Sequence, residues 1–271
     1  MQLLTRSAEL FEAIDRLRAV APFLLTNFFV TPKQAAAWTG RGTLSIMGGN
    51  GSILALRRDR DVHHVYHVAA GTRELSHALA VLTAGWRGVL VTDLVGHSEE
   101  TARVAEIYHA HGFEHHTSLV RMVRVMPGLS SRAVGSTVIF ADRDDVPAVR
   151  DLFDRMLDPL RDQIPEPEEI EAAVARRSIL IERRGEAVGG ALYFETTGLT
   201  SILRYWYVDR RFRGQGIGGR LIRKYIELCR GVRRIVLWVV GENADATAKY
   251  RHYGFCEDNL MDRILVLKGK P

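Results

Sequence analysis

One stretch constrains this chain more than any other: Val208-Asp209-Arg210-Arg211-Phe212-Arg213-Gly214-Gln215-Gly216-Ile217-Gly218-Gly219-Arg220-Leu221. Ser201 to Val208 before it reads as an apolar strand. Ile217 to Arg230 reads as an amphipathic helix, with Leu221, Ile222, Tyr225, Leu228 and Cys229 on one face. Between the two lie glycines at 214, 216, 218 and 219. Glycine permits positive φ and lets backbone approach a ligand with no Cβ in the way. A helix start leaves amides unpaired and presents the positive end of a dipole. Together these make a cradle for a diphosphate, and Arg213 and Arg220 add charge for an anionic ligand.

Two phosphate loops can be tested on the spot. The nucleoside-triphosphate loop needs Gly-Lys-Ser/Thr, which the chain lacks here. The dinucleotide fingerprint fits as a string, Gly214-x-Gly216-x-x-Gly219, and Glu242 stands where a ribose ligand could be. That turn normally opens its βαβ unit, whereas three strands, two of them a hairpin, precede the loop here. That order disfavours an NAD-dependent oxidoreductase, which stays as the lesser alternative.

The surrounding order is strand-helix alternation. In the second half, strands are expected at 137–141, 179–182, 187–195, 201–208, 235–240 and 260–267, the last closing the sheet. Helices are expected at 145–156, 165–177, 217–230 and 244–253, the last stopped by Gly254. Arg183-Arg184-Gly185-Glu186 reads as a four-residue hairpin connection. The first half echoes part of this order, with strands at 64–69, 89–95 and 116–125 and helices at 73–83 and 99–111. Tyr108-x-x-x-Gly112-Phe113 echoes Tyr250-x-x-x-Gly254-Phe255, which points to a tandem repeat. After Val68 the first half has only Ala69-Ala70-Gly71-Thr72-Arg73, with no phosphate loop.

In two motifs the sequence resembles the GCN5-related N-acetyltransferases (GNAT). Arg213-Gly214-Gln215-Gly216-Ile217-Gly218 looks like that family's Arg/Gln-x-x-Gly-x-Gly/Ala signature. Asn243-x-x-Ala246-x-x-x-Tyr250-x-x-x-Gly254-Phe255 looks like its second motif. The resemblance covers roughly residues 137–267. It implies a mixed α/β fold, a mostly antiparallel central sheet flanked by helices, with two such domains in tandem. The domains would be a degenerate copy at 1–126, a Pro-Gly-Ser linker at 127–134, and a transferase domain at 135–271.

The same resemblance implies acetyl-CoA or another acyl-CoA as co-substrate. Gly214, Gln215, Gly216, Ile217, Gly218 and Gly219 would hold the diphosphate, with Arg213 and Arg220 beside them. Tyr207 and Val208 would pair with the pantetheine as an added strand, and the Val208 amide would be the oxyanion donor. Asn243, Ala246 and Tyr250 are spaced to share one helix face. Tyr250 would be the general acid, and Asn243 would face the same cleft. Tyr253 is expected in the core or on the substrate wall, and Phe255 in the core. The family often places a Glu on the strand before the loop, and that strand has no carboxylate here. Glu195, one strand earlier, is the candidate base, or water. Arg204 and Trp206 are expected on the face of Val208.

The implied reaction is acyl transfer to a primary amine by direct attack in a ternary complex. The acceptor would be a small amine, an amino acid or a peptide. A non-catalytic acyl-CoA sensor is the second alternative.

Composition limits the remaining classes. With 271 residues, 46% hydrophobic and 25% charged, the chain is neither disordered nor fibrous. No apolar run nears the ~20 residues a membrane span needs, and no signal peptide is read at the start. Two cysteines, Cys229 and Cys256, give no disulfide framework; both are expected in the core, in a reduced cytoplasm. Of 37 basic residues only five are lysine, and acidic residues interleave with the arginines. A net charge of +5 is then no nucleic-acid footprint. Nine of the ten histidines fall in the first half, without chelating spacing, so no metal is expected. A homodimer is one open assembly state.

Overall fold

The computed structural model describes residues 1–126 and 137–269; the linker expected at 127–134 lies outside them. In chain order the first elements are β1 (Gln2–Leu3), α1 (Ser7–Val20), β2 (Leu25–Thr26), α2 (Pro32–Gly40), β3 (Leu44–Gly49), β4 (Ser52–Asp59), β5 (Val62–Ala69), α3 (Thr72–Thr83), β6 (Val89–Gly96), α4 (Ser98–His109) and β7 (Glu114–Val125). Then come β8 (Ile139–Phe140), α5 (Val146–Met156), α6 (Pro167–Ala175), β9 (Ile179–Arg184), β10 (Ala187–Thr197), β11 (Thr200–Val208), α7 (Ile217–Leu228), β12 (Arg234–Val240), α8 (Ala244–His252) and β13 (Cys256–Lys268). Helices flank mixed sheets, as the sequence predicts.

Two compact units emerge, Met1–Leu119 with Asn259–Pro271, and Val120–Asp258. The dividing points fall inside β7 and β13, not at 127–134. The strand expected at 260–267 to close the second half's sheet pairs instead with β6 of the first unit, from Met261↔Gly96 to Lys268↔Val89. Strand pairing is set by neighbouring edges, which a strand's own pattern does not encode.

In the first unit β3, β4 and β5 form an antiparallel meander, and β5 then pairs with β6 in parallel. The β3–β4 turn is Asn50-Gly51, with φ of 50° and 78°, the hairpin geometry that the Asn-Gly pair favours. Thr31 and Gln34 form a reciprocal cap at the start of α2, with Pro32 in its first turn. Leu75, Leu79, Leu90 and Tyr108 fill one face of the sheet; Leu10, Trp38, Leu44 and Tyr66 fill the other.

The second unit repeats the plan. β9, β10 and β11 are antiparallel, and β11 pairs with β12 in parallel. The ladder reaches Arg184↔Ala187, so the hairpin turn is only Gly185-Glu186. Helices α5 and α6 cover one face through Val149, Phe153 and Ile170. Helix α7 covers the other through Ile217, Leu221, Ile222 and Tyr225. Cys229 is buried as expected, whereas Cys256 is exposed. No helix among the described residues is long and apolar enough to cross a membrane.

Candidate active site

Strand β11 is held on both sides for only part of its length. Its parallel register with β12 runs from Thr200↔Arg234 to Leu203↔Leu237. From Arg204 to Val208 it keeps β10 as partner, and no partner among the described residues lies on its other edge. The register with β10 shifts between Tyr193/Phe194, where Tyr205 and Leu203 are the opposed residues, so Arg204 is a bulge residue. A bulge bends its strand and adds twist, which fits the departure of β11 from β12.

The bulge also corrects a face assignment. Leu203, Trp206 and Val208 pack on the α7 side, and Tyr205 and Tyr207 on the α5 side. The Arg204 guanidinium lies 5.9 Å from the Tyr205 ring centre. Arg204 therefore does not share the face of Trp206 and Val208, because strict alternation fails across an extra residue.

Ladder parity shows where the free amides point. The Asp209 amide donates to the Gly189 carbonyl at 3.0 Å. In an antiparallel ladder, bonded and non-bonded pairs alternate. Val208↔Gly190 and Trp206↔Leu192 are thus non-bonded pairs, and the amides of Val208 and Trp206 face the open edge.

The loop after β11 begins with a single 3-10 turn, Arg210–Phe212, whose first amides are capped by Asp209. Gly214 and Gly216 take φ of 78° and 74°, a region that costs other residues about 1–2 kcal/mol. Gly216 is the N-cap of α7 and has no side chain to cap it. Arg220 is the first helical residue whose amide reaches a backbone acceptor, Gly216, at 3.1 Å. Among the described residues the helical amides before it, from Ile217 to Gly219, have no hydrogen-bond partner. A Cβ on Gly218 would sit 3.3 Å from Val208 and 3.4 Å from the Trp206 ring, so the helix start lies directly against the strand end.

The charges around the loop divide into used and unused. Arg220, expected to face a ligand, instead makes two 2.8 Å bonds to Glu182 and a third, 2.9 Å, to the Gln215 carbonyl. Arg184 joins the same carboxylate at 2.9 Å and reaches the Gln215 side chain at 3.2 Å. Burial opposes the charge of Glu182, but Arg220 and Arg184 more than offset it and hold the carboxyl below its usual range. Arg220 is thus a strut of the loop. Its buried partner lies 38 residues earlier, which the local motif could not reveal. Arg211 and Arg155 are tied to Asp209, beside a cavity of about 350 Å³ lined also by Leu152, Met156 and Arg210. Arg213 is exposed and has no ion pair among the described residues.

Tyr250 packs its ring 5.4 Å from Trp206 and 5.8 Å from Phe255, and burial pushes its phenol up. Ala246 shares its face on the core, and Phe255 is buried. Asn243 does not share that face. It is the N-cap of α8, its side-chain oxygen accepting from the Ala246 amide at 3.0 Å. Tyr253 is half-buried at 6.1 Å from Trp206, and its hydroxyl is 3.1 Å from where a Gly219 Cβ would be.

Glu195 is badly placed to be a base. It lies opposite Ile202, while Gly190 lies opposite Val208; five residues of strand are about 17 Å. Its carboxylate accepts from the Tyr193 hydroxyl at 2.6 Å. At the Val208 end, Asp162 bears on Tyr207, whose phenol is pushed up first by burial and then by that charge. Asp162 itself is taken by Arg161 at 2.6 Å and by the Asp158 amide at 2.9 Å.

Sequence reasoning missed Glu182, Gly189 and Gly190. A Cβ on Gly190 would meet Ile217 at 2.9 Å and the Tyr207 carbonyl at 3.0 Å. Paired glycines inside a strand pattern signal such close approach. The indole nitrogen of Trp206 is buried with no hydrogen-bond partner among the described residues. An unpaired donor beside an open helix start fits a ligand rich in acceptors, as a diphosphate with amide groups is.

A model of the acetyltransferase (GNAT) family matches residues 146–255, which contain all of these features. The chain carries a GNAT-family acetyltransferase domain. Over 57 residues the chain is 46% identical to an uncharacterized N-acetyltransferase of Methanocaldococcus jannaschii, covering 20% of this chain. The chain spans only 25% of that relative's length. The GNAT fold extends beyond the matched domain. A GCN5-related N-acetyltransferase from Sphaerobacter thermophilus superposes with a TM-score of 0.59, at 15% identity over 89% of this chain and 88% of the other. A tandem GNAT protein from the clavulanic acid biosynthesis pathway does so with 0.52, at 14% identity over 84% of each chain. These likenesses concern fold, and with the antiparallel hairpin before the loop they leave the dinucleotide alternative without support.

Proposed function

We propose that the second unit is an acyl-CoA-dependent N-acyltransferase, with acetyl as the default acyl group and a primary amine as acceptor. One arrangement carries this reading. A strand edge with outward amides at Trp206 and Val208 meets an uncapped, glycine-started helix, and a tyrosine ring packs against the same strand. Acyl-CoA supplies the activated thioester. The chain supplies position and charge. Open amides from Gln215 to Gly219 hold the diphosphate, and Arg213 adds charge. The Arg204–Val208 edge takes the pantetheine amides as an added strand. The Val208 amide faces the carbonyl oxygen as negative charge develops there. Burial keeps Tyr250 protonated, so it has a proton for the departing thiolate.

The amine's proton goes to water. Glu195 is too far along the sheet, and β11 carries no carboxylate. The rate should then climb with pH towards the acceptor's own pKa. The acceptor class is a small amine, an amino acid or a peptide amine.

Thiol release from acetyl-CoA across an amine panel tests the reading. Release that falls about a hundredfold or more in Tyr250→Phe supports it. Tight CoA binding with no release for any amine would favour the sensor. Thermal stabilisation by NAD and not by CoA would favour the oxidoreductase.

A further inference from the structure

The first unit contains the same strand edge, and it is filled. Its parallel pair β5–β6 runs only from Val62↔Val89 to His64↔Val91, as β11–β12 stops after Leu203. The Ala70 amide donates to the Gly51 carbonyl at 2.9 Å, the counterpart of Asp209 to Gly189. By the same parity, His67 and Ala69 turn their amides away from β4, as Trp206 and Val208 do from β10.

Here the chain itself occupies the edge. β2 pairs antiparallel with β5, Leu25↔Ala69 and Thr26↔Val68. The Asn27 amide donates to the His67 carbonyl at 3.3 Å. Its side-chain oxygen accepts from the His67 amide at 2.6 Å. Its side-chain nitrogen reaches the Val65 carbonyl at 3.2 Å, and Thr92 Oγ1 and the Asp93 carbonyl at 2.9 Å each. Asn27 is 6% exposed. One primary amide thus meets the groups that a ligand's amide would meet.

The helix-borne tyrosine is also accounted for. Tyr108 packs edge-to-face on Phe113 at 5.0 Å, as Tyr250 does on Phe255. Its hydroxyl is 2.9 Å from His67 Nδ1 and fully buried. Beyond Ala69 the chain enters α3 through Gly71 with no loop.

We propose that residues 25–27 occupy the first unit's strand-edge site in place of a ligand, so that this copy is closed by its own chain and each chain takes one acyl-CoA, in the second unit. The count of one rests on the functional reading above; the closure does not.

Amide hydrogen exchange on the full chain, with and without CoA, separates the two. In the free protein residues 65–69 should exchange about a hundredfold more slowly than 204–208. CoA should slow exchange at 204–219 and leave 62–70 unchanged. Asn27→Ala should speed exchange at 65–69 at least about tenfold. Slowing at 62–70 on adding CoA, or fast exchange there in the free wild type, overturns the proposal. If CoA slows neither segment, the transferase reading fails while slow exchange at 65–69 still upholds the closure. The wild-type arms do not depend on the variant folding.

Discussion

Strands β5 and β11 are the same device in two states. Each runs beside an antiparallel partner, leaves its parallel neighbour after three or four pairs, and lies near a tyrosine followed by Gly-Phe. Around β5 the amide and carbonyl of His67 and the carbonyl of Val65 are taken by Asn27 and Thr26, and His67 Nδ1 meets Tyr108, while His67 Nε2 is buried with no hydrogen-bond partner among the described residues. Around β11 the matching amides of Trp206 and Val208 have no strand or side chain on their edge among the described residues, and that backbone edge, not the ring nitrogens, is where the two differ. A fold can therefore keep the geometry of a site and lose its availability. What separates the two is one short segment of chain and one glycine loop.

The tyrosines offer the strongest way to break this comparison. Tyr250→Phe should lower kcat by about two to four orders of magnitude, measured as thiol release. Tyr108→Phe should leave kcat within about twofold and cost about 1–3 kcal/mol of stability, because a buried ring nitrogen of His67 loses its partner. Equal losses of activity from both variants would mean the copies are not in different states.

Acid should separate the units next. Burial pushes His64 and His67 down to about 3, with Arg57 and His63 adding to it at His64. Unfolded, each takes a proton near 6.5; folded, neither does until about 3. Acidification between those values favours the unfolded chain, by about 1.4 kcal/mol per pH unit for each group. Trp206, at the place of His67, does not titrate. First-unit peptides should lose exchange protection before second-unit peptides on going from pH 7 to 4.5, and His67→Gln should lessen the slope.

Packing gives a smaller contrast. Ser52 lies opposite Ala69 and Gly190 opposite Val208. The first unit accepts a side chain there, whereas Gly190→Ser would press on Ile217 and should cost about 1–3 kcal/mol, read from denaturant midpoints. Smallest is Arg213→Ala, which should raise KM for acetyl-CoA by no more than about fivefold, as for an exposed charge.

The site was legible where its parts are close in sequence. The loop from Val208 to Leu221 and the Tyr250–Phe255 stretch carry their geometry in their own spacing. Arg220 was misread because Glu182, its buried partner, sits on another strand. Arg204 was misread because a bulge leaves no mark in a pattern of alternation. Asn243 has a spacing that suits a helix face equally well as a cap, and only backbone geometry distinguishes them. From sequence alone no element was assigned to the first sixty residues, although Asn50-Gly51 is a hairpin signal. Their role at β5 rests on pairing between Leu25–Asn27 and a strand some forty residues away, which no local pattern states. The placement of β13 was hidden for the same reason.

Titration calorimetry of the full chain with CoA, comparing wild type with Gly214→Asp, tests the open edge and its glycine loop most directly. At Gly214 nothing lies within 4 Å of a Cβ, and Asp tolerates the left-handed conformation better than most residues, so the change mainly adds negative charge to the cradle. One site per chain, weakened at least about tenfold in the variant, is the expected result. Two sites, or unchanged affinity in Gly214→Asp, would contradict it.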